Sequence, residues 1–192
     1  MEPVKLTGER VELAPLEAGH VQALFDASRD PAIWAFLPVR GETREDVAAF
    51  VQKALQAQEQ GTEFPFVIID RQTGQIVGMT RFLDISQPDR SLEIGWTWLS
   101  PTVWRTRVNT ECKYLLLRHC FETLNLVRVM LKTDRRNERS QRAIERLGAV
   151  KEGILRRHRI LPDGYIRDTV VYSIIAEEWP DVKARLEGFL EE

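Results

Sequence analysis

The chain is poor in sulfur and imidazole. Its 192 residues include two cysteines and three histidines. Cys112 and Cys120 fall in one predicted helix, ~12 Å apart along its axis at ~1.5 Å per residue. That separation is beyond the reach of a disulfide. His20, His119 and His158 are scattered, without zinc-type spacing. These absences exclude a disulfide scaffold, give no metal site, and fit a reducing compartment. No apolar run approaches the ~18–20 residues of a membrane span. The opening Met1-Glu2-Pro3-Val4-Lys5 lacks the basic-then-apolar layout of a signal peptide, so a cytoplasmic protein is expected. An excess of one charge is also missing: 27 Lys+Arg face 29 Asp+Glu, a net of −2. As a total, this weighs against a dedicated nucleic-acid binder. What is present is ordinary globular material, 43% hydrophobic and 29% charged. At this length a single domain, 1–192, is expected.

Periodicity orders the elements. Val11 and Leu13 alternate in a short strand ended by Pro15. Val21, Leu24 and Phe25 recur at helical spacing. Pro31 and Pro38 then bracket a loop carrying Trp34 and Phe36. Thr43 with Asp46 reads as a helix cap, ahead of the apolar stripe Val47, Phe50, Val51, Ala54, Leu55. Gly61 closes that helix. Three strands follow on short turns, over 64–70, 75–85 and 91–99, as an antiparallel meander. A helix over 109–123 leads to a strand over 127–133. The next helix, 137–147, has Asn137 as N-cap and Gly148 as stop. Strands over 150–158 and 166–175 form a hairpin around Pro162-Asp163-Gly164. A final amphipathic helix covers 178–190, with Pro180 in its first turn. The fold class is mixed α/β.

The passage from strand 91–99 through Trp104–Asn109 into a helix is informative. Unpaired N–H groups and the positive end of the helix dipole converge there on an anion site, naturally for a pyrophosphate. An ordinary strand-to-helix connection has the same layout.

A second segment, Asn137-Glu138-Arg139-Ser140-Gln141-Arg142-Ala143-Ile144-Glu145-Arg146-Leu147-Gly148-Ala149, is followed closely by Glu152-Gly153-Ile154-Leu155-Arg156. It resembles the GNAT acetyltransferase superfamily, and most the branch of the RimJ/RimL ribosomal-protein N-terminal acetyltransferases. The opening Arg10–Leu16, the strand with Glu93-Ile94-Gly95-Trp96, Pro101 with Trp104, and the ending Asp168…Tyr172-Ser173-Ile174 agree with it. The resemblance spans nearly the whole chain. It implies a mostly antiparallel sheet whose two middle strands splay, flanked by helices, with acetyl-CoA in the gap. The pantetheine arm would lie along Trp96–Leu99, with Trp98 and Leu99 among its contacts. The pyrophosphate would meet Trp104, Arg105, Thr106, Arg107, Val108, Asn109 and Thr110, with Arg142 adding charge. Asn137 would hydrogen-bond the pantetheine, and Ser140 the departing thiolate.

Two departures stand out. Relatives carry glycines in the phosphate loop where this chain has Arg105 and Arg107. Arginine there either obstructs the approach of the phosphates or keeps the loop's shape and adds charge-assisted bonds. RimL-type enzymes also have a glutamate on the later strand, where the nearest equivalent here is Arg159.

Direct transfer to an amine needs a base and relief of charge on sulfur. Glu93 is a candidate base, or else a structural carboxylate. Ser140 is a candidate for the sulfur, or else makes a local capping bond. Neither cysteine suits a nucleophile. Trp34 and Phe36 are candidates for the acceptor site or for the core. Trp96 and Trp98 share a sheet face by alternation and suit core packing.

The net charge conceals an asymmetry. From Arg128 to Arg159 eleven cations face four acids, so this segment is +7 and the remainder −9. The segment suits a polyanionic cofactor, a nucleic-acid surface, or a solvated face laced with ion pairs. The leading reading is an acetyl-CoA-dependent N-acetyltransferase acting on a primary amine, a protein N-terminus (ribosomal or other) or a small molecule. Its rivals are a non-catalytic protein of the same fold with an altered phosphate loop, and an RNA-associated module. No membrane partner is expected, and the chain is read as a monomer or homodimer.

Overall fold

A computed structural model describes residues 3–191. Met1 and Glu2, from the opening stretch considered above, lie outside the described residues. The elements in chain order are β1 (Leu6–Thr7), β2 (Val11–Pro15), α1 (Val21–Ala27), α2 (Arg44–Glu59), β3 (Phe64–Asp70), β4 (Gln75–Ser86) and β5 (Ser91–Leu99). Then come α3 (Val108–Arg118), β6 (Arg128–Asp134), α4 (Glu138–Leu147), β7 (Val150–Ile160), β8 (Ile166–Ile175) and α5 (Trp179–Glu191).

Local chemistry sets the boundaries. Thr43 and Asp46 close a reciprocal capping box on α2, each side chain accepting the other's backbone N–H. Asn137 caps α4 by accepting the Ser140 N–H at 3.1 Å, and Gly148 ends it at φ +102°. The helix predicted to run through to Thr123 changes pitch: α3 ends at Arg118 and His119–Thr123 forms a wider π-type turn.

All eight strands join one sheet in the order β1-β2-β3-β4-β5-β6-β8-β7. Every adjacent pair is antiparallel except β5 with β6. That parallel pairing covers Ser91↔Arg128, Leu92↔Val129 and Glu93↔Met130, then stops. Both strands continue, β5 to Leu99 and β6 to Asp134. This is the splayed middle pair that the family resemblance implies.

Helices cover both faces. Against one face α3, α4 and α5 bury a core that includes Leu92, Ile94, Leu116, Ile144, Tyr172 and Leu186. Against the other, α1 and α2 bury Leu24, Val47, Phe50, Val67, Met79 and Trp98 with Trp34. A fully buried Leu of this kind contributes about 1.5–3 kcal/mol. Cys112 and Cys120 belong to the first core. Burial pushes the Cys112 thiol up to about 11 and raises that of Cys120 as well. Both are therefore packing residues, not thiolates.

Strand β5 changes phase midway. Arg81 pairs with Gly95 and Met79 with Trp98, so Thr80 alone opposes Trp96 and Thr97. Trp96 is the extra residue of this bulge, at φ +53°. Before it, Leu92 and Ile94 face α3 and Glu93 faces the opposite side. After it, Trp98 faces α2. The two tryptophans do share a face, as expected, and the bulge puts Glu93 on that face too. Arg81 is buried there between the rings of Phe50 and Trp96, at 4.7 and 4.8 Å, and pairs with Glu63 at 2.6 Å.

Candidate functional site

The parting of β5 and β6 opens a cleft of about 640 Å³. Its walls are β5 beyond Glu93, the end of β6, the first turns of α3 and α4, and the loop between α1 and α2. Over Ile94–Leu99, β5 has no strand partner on the β6 side. An unpaired strand edge offers backbone donors and acceptors to a ligand that carries amides. Trp104 already uses one of them, its indole N–H donating to the Leu99 carbonyl at 2.8 Å. The Trp98 indole N–H is buried and has no hydrogen-bond partner among the described residues.

The loop into α3 answers the question raised by its arginines. Arg105 adopts φ +61°, the left-handed conformation that favours glycine. The loop therefore keeps a glycine-like turn with an arginine side chain on it. Arg107 is ordinary, at φ −70° and ψ −6°, and is the N-cap of α3. Its side chain turns away from the cleft, to Glu9 at 2.6 Å and the Leu190 carbonyl at 3.1 Å. Thr106 spends its hydroxyl locally, donating to the Val103 carbonyl at 2.7 Å and accepting the Val108 N–H at 3.3 Å. The first helical bond of α3 runs from the Glu111 N–H to the Arg107 carbonyl. The N–H groups of Asn109 and Thr110 thus point out of the helix end without intrahelical partners. Together with the dipole they favour an anion.

Of the residues expected at the coenzyme, Trp98, Leu99, Trp104, Arg105, Thr106, Asn109, Thr110 and Asn137 line the cleft. Arg107 does not, and the Val108 side chain is in the core. Arg142 faces solvent in an ion pair with Glu138 at 3.2 Å. Its place is taken by Arg139 and Arg146, which reach the cleft from the same helix. Arg139 stacks over Trp104 at 4.1 Å. Helical spacing from Asn137 would have separated these faces of α4.

Ser140 lines the cleft, and its hydroxyl makes no hydrogen bond among the described residues. Asn137 supplies the cap bond instead. Phe36 also lines the cleft. Trp34 does not: it packs edge-on against Phe50 and beside Trp98, and its N–H donates to the Ser28 carbonyl at 2.9 Å. It supports the wall from behind.

Glu93 is 7% exposed and meets Lys132 at 2.6 Å. Burial raises its carboxyl above the ordinary range, and Lys132 only partly opposes this. On Lys132, burial acts downward, yet the bonds to Glu93 and Asp84 prevail and raise its ammonium. A buried carboxylate of raised basicity in a cleft is what a general base requires.

Sequence reasoning missed Lys113. It lines the cleft floor, 6% exposed, and donates to Thr97 Oγ1 at 2.6 Å, which in turn meets Thr80 Oγ1 at 2.8 Å. Burial lowers its ammonium. Only the pattern of a lysine among the apolar residues of α3 hinted at it. His158 and Arg167 were missed as well; both line the cleft from the β7–β8 hairpin.

Comparison with known proteins is consistent with this geometry. The family model described as "Acetyltransferase (GNAT) domain" matches residues 10–150. The Bacillus subtilis (strain 168) protein described as uncharacterized N-acetyltransferase YnaD is 26% identical over 177 residues, 91% of this chain and 98% of its own. A crystal structure of an acetyltransferase from T. thermophilus is 41% identical, covers 99% of this chain and 98% of its own, and has a TM-score of 0.89. Mycobacterium smegmatis RimJ in complex with CoA-disulfide has a TM-score of 0.84 at 23% identity, covering 97% and 95%. At that identity the likeness is one of fold.

Proposed function

The chain belongs to the GNAT acetyltransferase family, and from that membership we propose that it moves an acetyl group from acetyl-CoA directly to a primary amine, on a protein N-terminus or a small molecule. Acetyl-CoA is the acyl donor of this family. The observation that carries the reading is the parting of β5 from β6 after Glu93↔Met130, with α3 and α4 opening at the cleft mouth. The fold shared with RimJ, which was solved with CoA-disulfide, supports the same use of the cleft.

The residues fit the coenzyme. The free edge of Ile94–Leu99 suits the amides of a pantetheine arm. The free N–H groups of Asn109 and Thr110 suit a pyrophosphate, and Arg105, Arg139 and Arg146 add positive charge around it. When bound, acetyl-CoA supplies a thioester carbonyl open to attack by an amine. Glu93 takes the proton of the attacking amine as the N–C bond forms. Lys132 keeps that carboxylate charged until then. Ser140 donates its unengaged hydroxyl to the sulfur as the C–S bond breaks. The buried cysteines leave direct transfer, without a covalent enzyme intermediate, as the route this chain supports.

Isothermal titration with acetyl-CoA, followed by release of free CoA thiol in the presence of amines, tests the reading. Saturable binding and amine-dependent thiol release are expected. No binding at millimolar ligand would refute it and favour the non-catalytic alternative.

A further inference from the structure

The cleft has two halves. Strands β6 and β8 present Leu131 and Tyr172 toward α3, α4 and α5. By alternation they present Lys132, Asp134, Arg167 and Thr169 toward the opposite half, beneath the loop that carries Phe36. Arg159 of β7 stands in register with Arg167 of β8. Both arginines line the cleft.

Every carboxylate in this half is already engaged. Glu93 and Asp84 both meet Lys132, at 2.6 and 3.2 Å. Asp134 is gripped by Arg136, at 2.9 Å to Nη2 and 3.1 Å to Nε. Arg167 donates its Nε–H to Thr169 Oγ1 at 3.0 Å and one Nη1–H to the Phe36 carbonyl at 3.3 Å. Neither Arg167 nor Arg159 has an ion-pair partner among the described residues, and Arg167 is half-buried. Two neighbouring guanidinium groups facing a cavity repel each other, and partial burial strengthens that repulsion. The field is felt nearby: burial lowers the His158 imidazole, and Arg159, Lys132 and Arg167 lower it further. A planar carboxylate is the complement of such a fork.

We propose that the acceptor amine carries a carboxylate, held by Arg167 and Arg159 in the half of the cleft opposite α3 and α4. The inference rests on the acetyltransferase reading and narrows it. Two sources share this chemistry: a free amino acid, and a peptide N-terminus with an acidic side chain in its first residues. Neutral amines, and amines with several positive charges, are then poor acceptors.

The test is a set of paired acceptors that differ only in the carboxylate. One pair is a free amino acid and its amide; the other is a peptide with Asp at its second position and the same peptide with Asn. For wild-type protein with saturating acetyl-CoA, the carboxylate member of at least one pair should have a KM lower by about tenfold or more, as expected of a charge-assisted bond. The pair that shows this identifies the source. Arg167→Gln should raise KM for the acidic member far more than for its neutral twin. Arg159→Gln, at an exposed position, should do the same to a smaller degree and guards against misfolding of the first variant. Equal kcat/KM within both pairs overturns the proposal, as does a preference that survives both substitutions. No transfer to any carboxylate-bearing acceptor while acetyl-CoA binds also overturns it, and leaves the broader reading standing. Failure to bind acetyl-CoA overturns both.

Discussion

Arg105 and Arg107, two positions apart in the loop before α3, hold opposite backbone conformations: φ is +61° at the first and −70° at the second. Only the first uses the conformation for which glycine is suited. A left-handed L-residue costs roughly 1–2 kcal/mol, and glycine's own flexibility costs about 0.5–1 kcal/mol. Arg105→Gly is therefore expected to stabilise the protein by about 0.5–1 kcal/mol in urea unfolding. Arg107→Gly should destabilise it by about 1 kcal/mol, because an ordinary helical conformation is loosened and the bond to the Leu190 carbonyl is lost. Equal effects of the two substitutions would contradict the assignment.

Glu93 should set the acid limb of the pH–rate profile. A base must be unprotonated, so kcat/KM rises as pH climbs through its folded pKa. Burial raises that pKa above its ordinary value of 4.5, and the limb should lie correspondingly higher. Glu93→Gln should abolish the limb and lower kcat by about 10²–10⁴-fold. A limb that persists in the variant assigns the base elsewhere.

Ser140→Ala removes a hydroxyl that is free of intramolecular bonds, so its stability cost should be small. If the hydroxyl serves the departing sulfur, kcat should drop by about 10- to 100-fold, with acetyl-CoA affinity retained in calorimetry. An unchanged kcat removes Ser140 from the mechanism.

Lys113 is buried beside Thr97 without a carboxylate partner among the described residues. Its folded pKa is lowered from 10.5. The unfolded chain therefore binds the proton more tightly, and the protonated native state is penalised at all pH values below the folded pKa. Lys113→Met should stabilise the protein at pH 7 by about 1 kcal/mol or more. That gain should shrink as pH rises toward 10.5, since the native lysine sheds its proton first. Denaturant unfolding at the two ends of this range checks the sign. A variant less stable than wild type at pH 7 would show that the bond to Thr97 outweighs the burial penalty.

Much of this architecture is legible in the sequence. The Thr43–Asp46 box, the Asn137 cap, Gly148 and the turn at Pro162-Asp163-Gly164 are local signals. Each acts through its own few neighbours, so each appears in the sequence at the place where it acts. The resemblance around Asn137–Leu155 adds the splayed sheet. What escapes depends on partners distant in sequence or on a single dihedral angle. The bulge at Trp96 leaves no mark in composition, yet it decides that Glu93 shares a face with Trp98. Arg105 is visible as an odd residue, but its left-handed φ is not. Lys113 looks like any helix lysine until Thr97 is placed above it. Arg159 and Arg167 become a pair only through the register of the β7–β8 hairpin. Arg142 stands out in the sequence no less than Arg139 and Arg146, because charge alone does not say which side of a helix meets a cleft.

The interrupted pairing of β5 and β6 reaches beyond catalysis. Past Glu93 and Met130 the sheet leaves its central seam open, in the part of the molecule where a sheet is normally most tightly sewn. A molecule that fills this seam with amide groups supplies hydrogen bonds which the chain withholds from itself. It binds the folded chain and not the unfolded one, so by mass action it shifts the folding equilibrium. For a ligand at a hundred times its dissociation constant that shift is about 2.7 kcal/mol, a large share of the stability of a typical domain. The abundance of the acyl donor would then govern how long each copy of the protein survives as well as how fast it turns over. A cell short of the donor would hold fewer folded copies, and not merely slower ones.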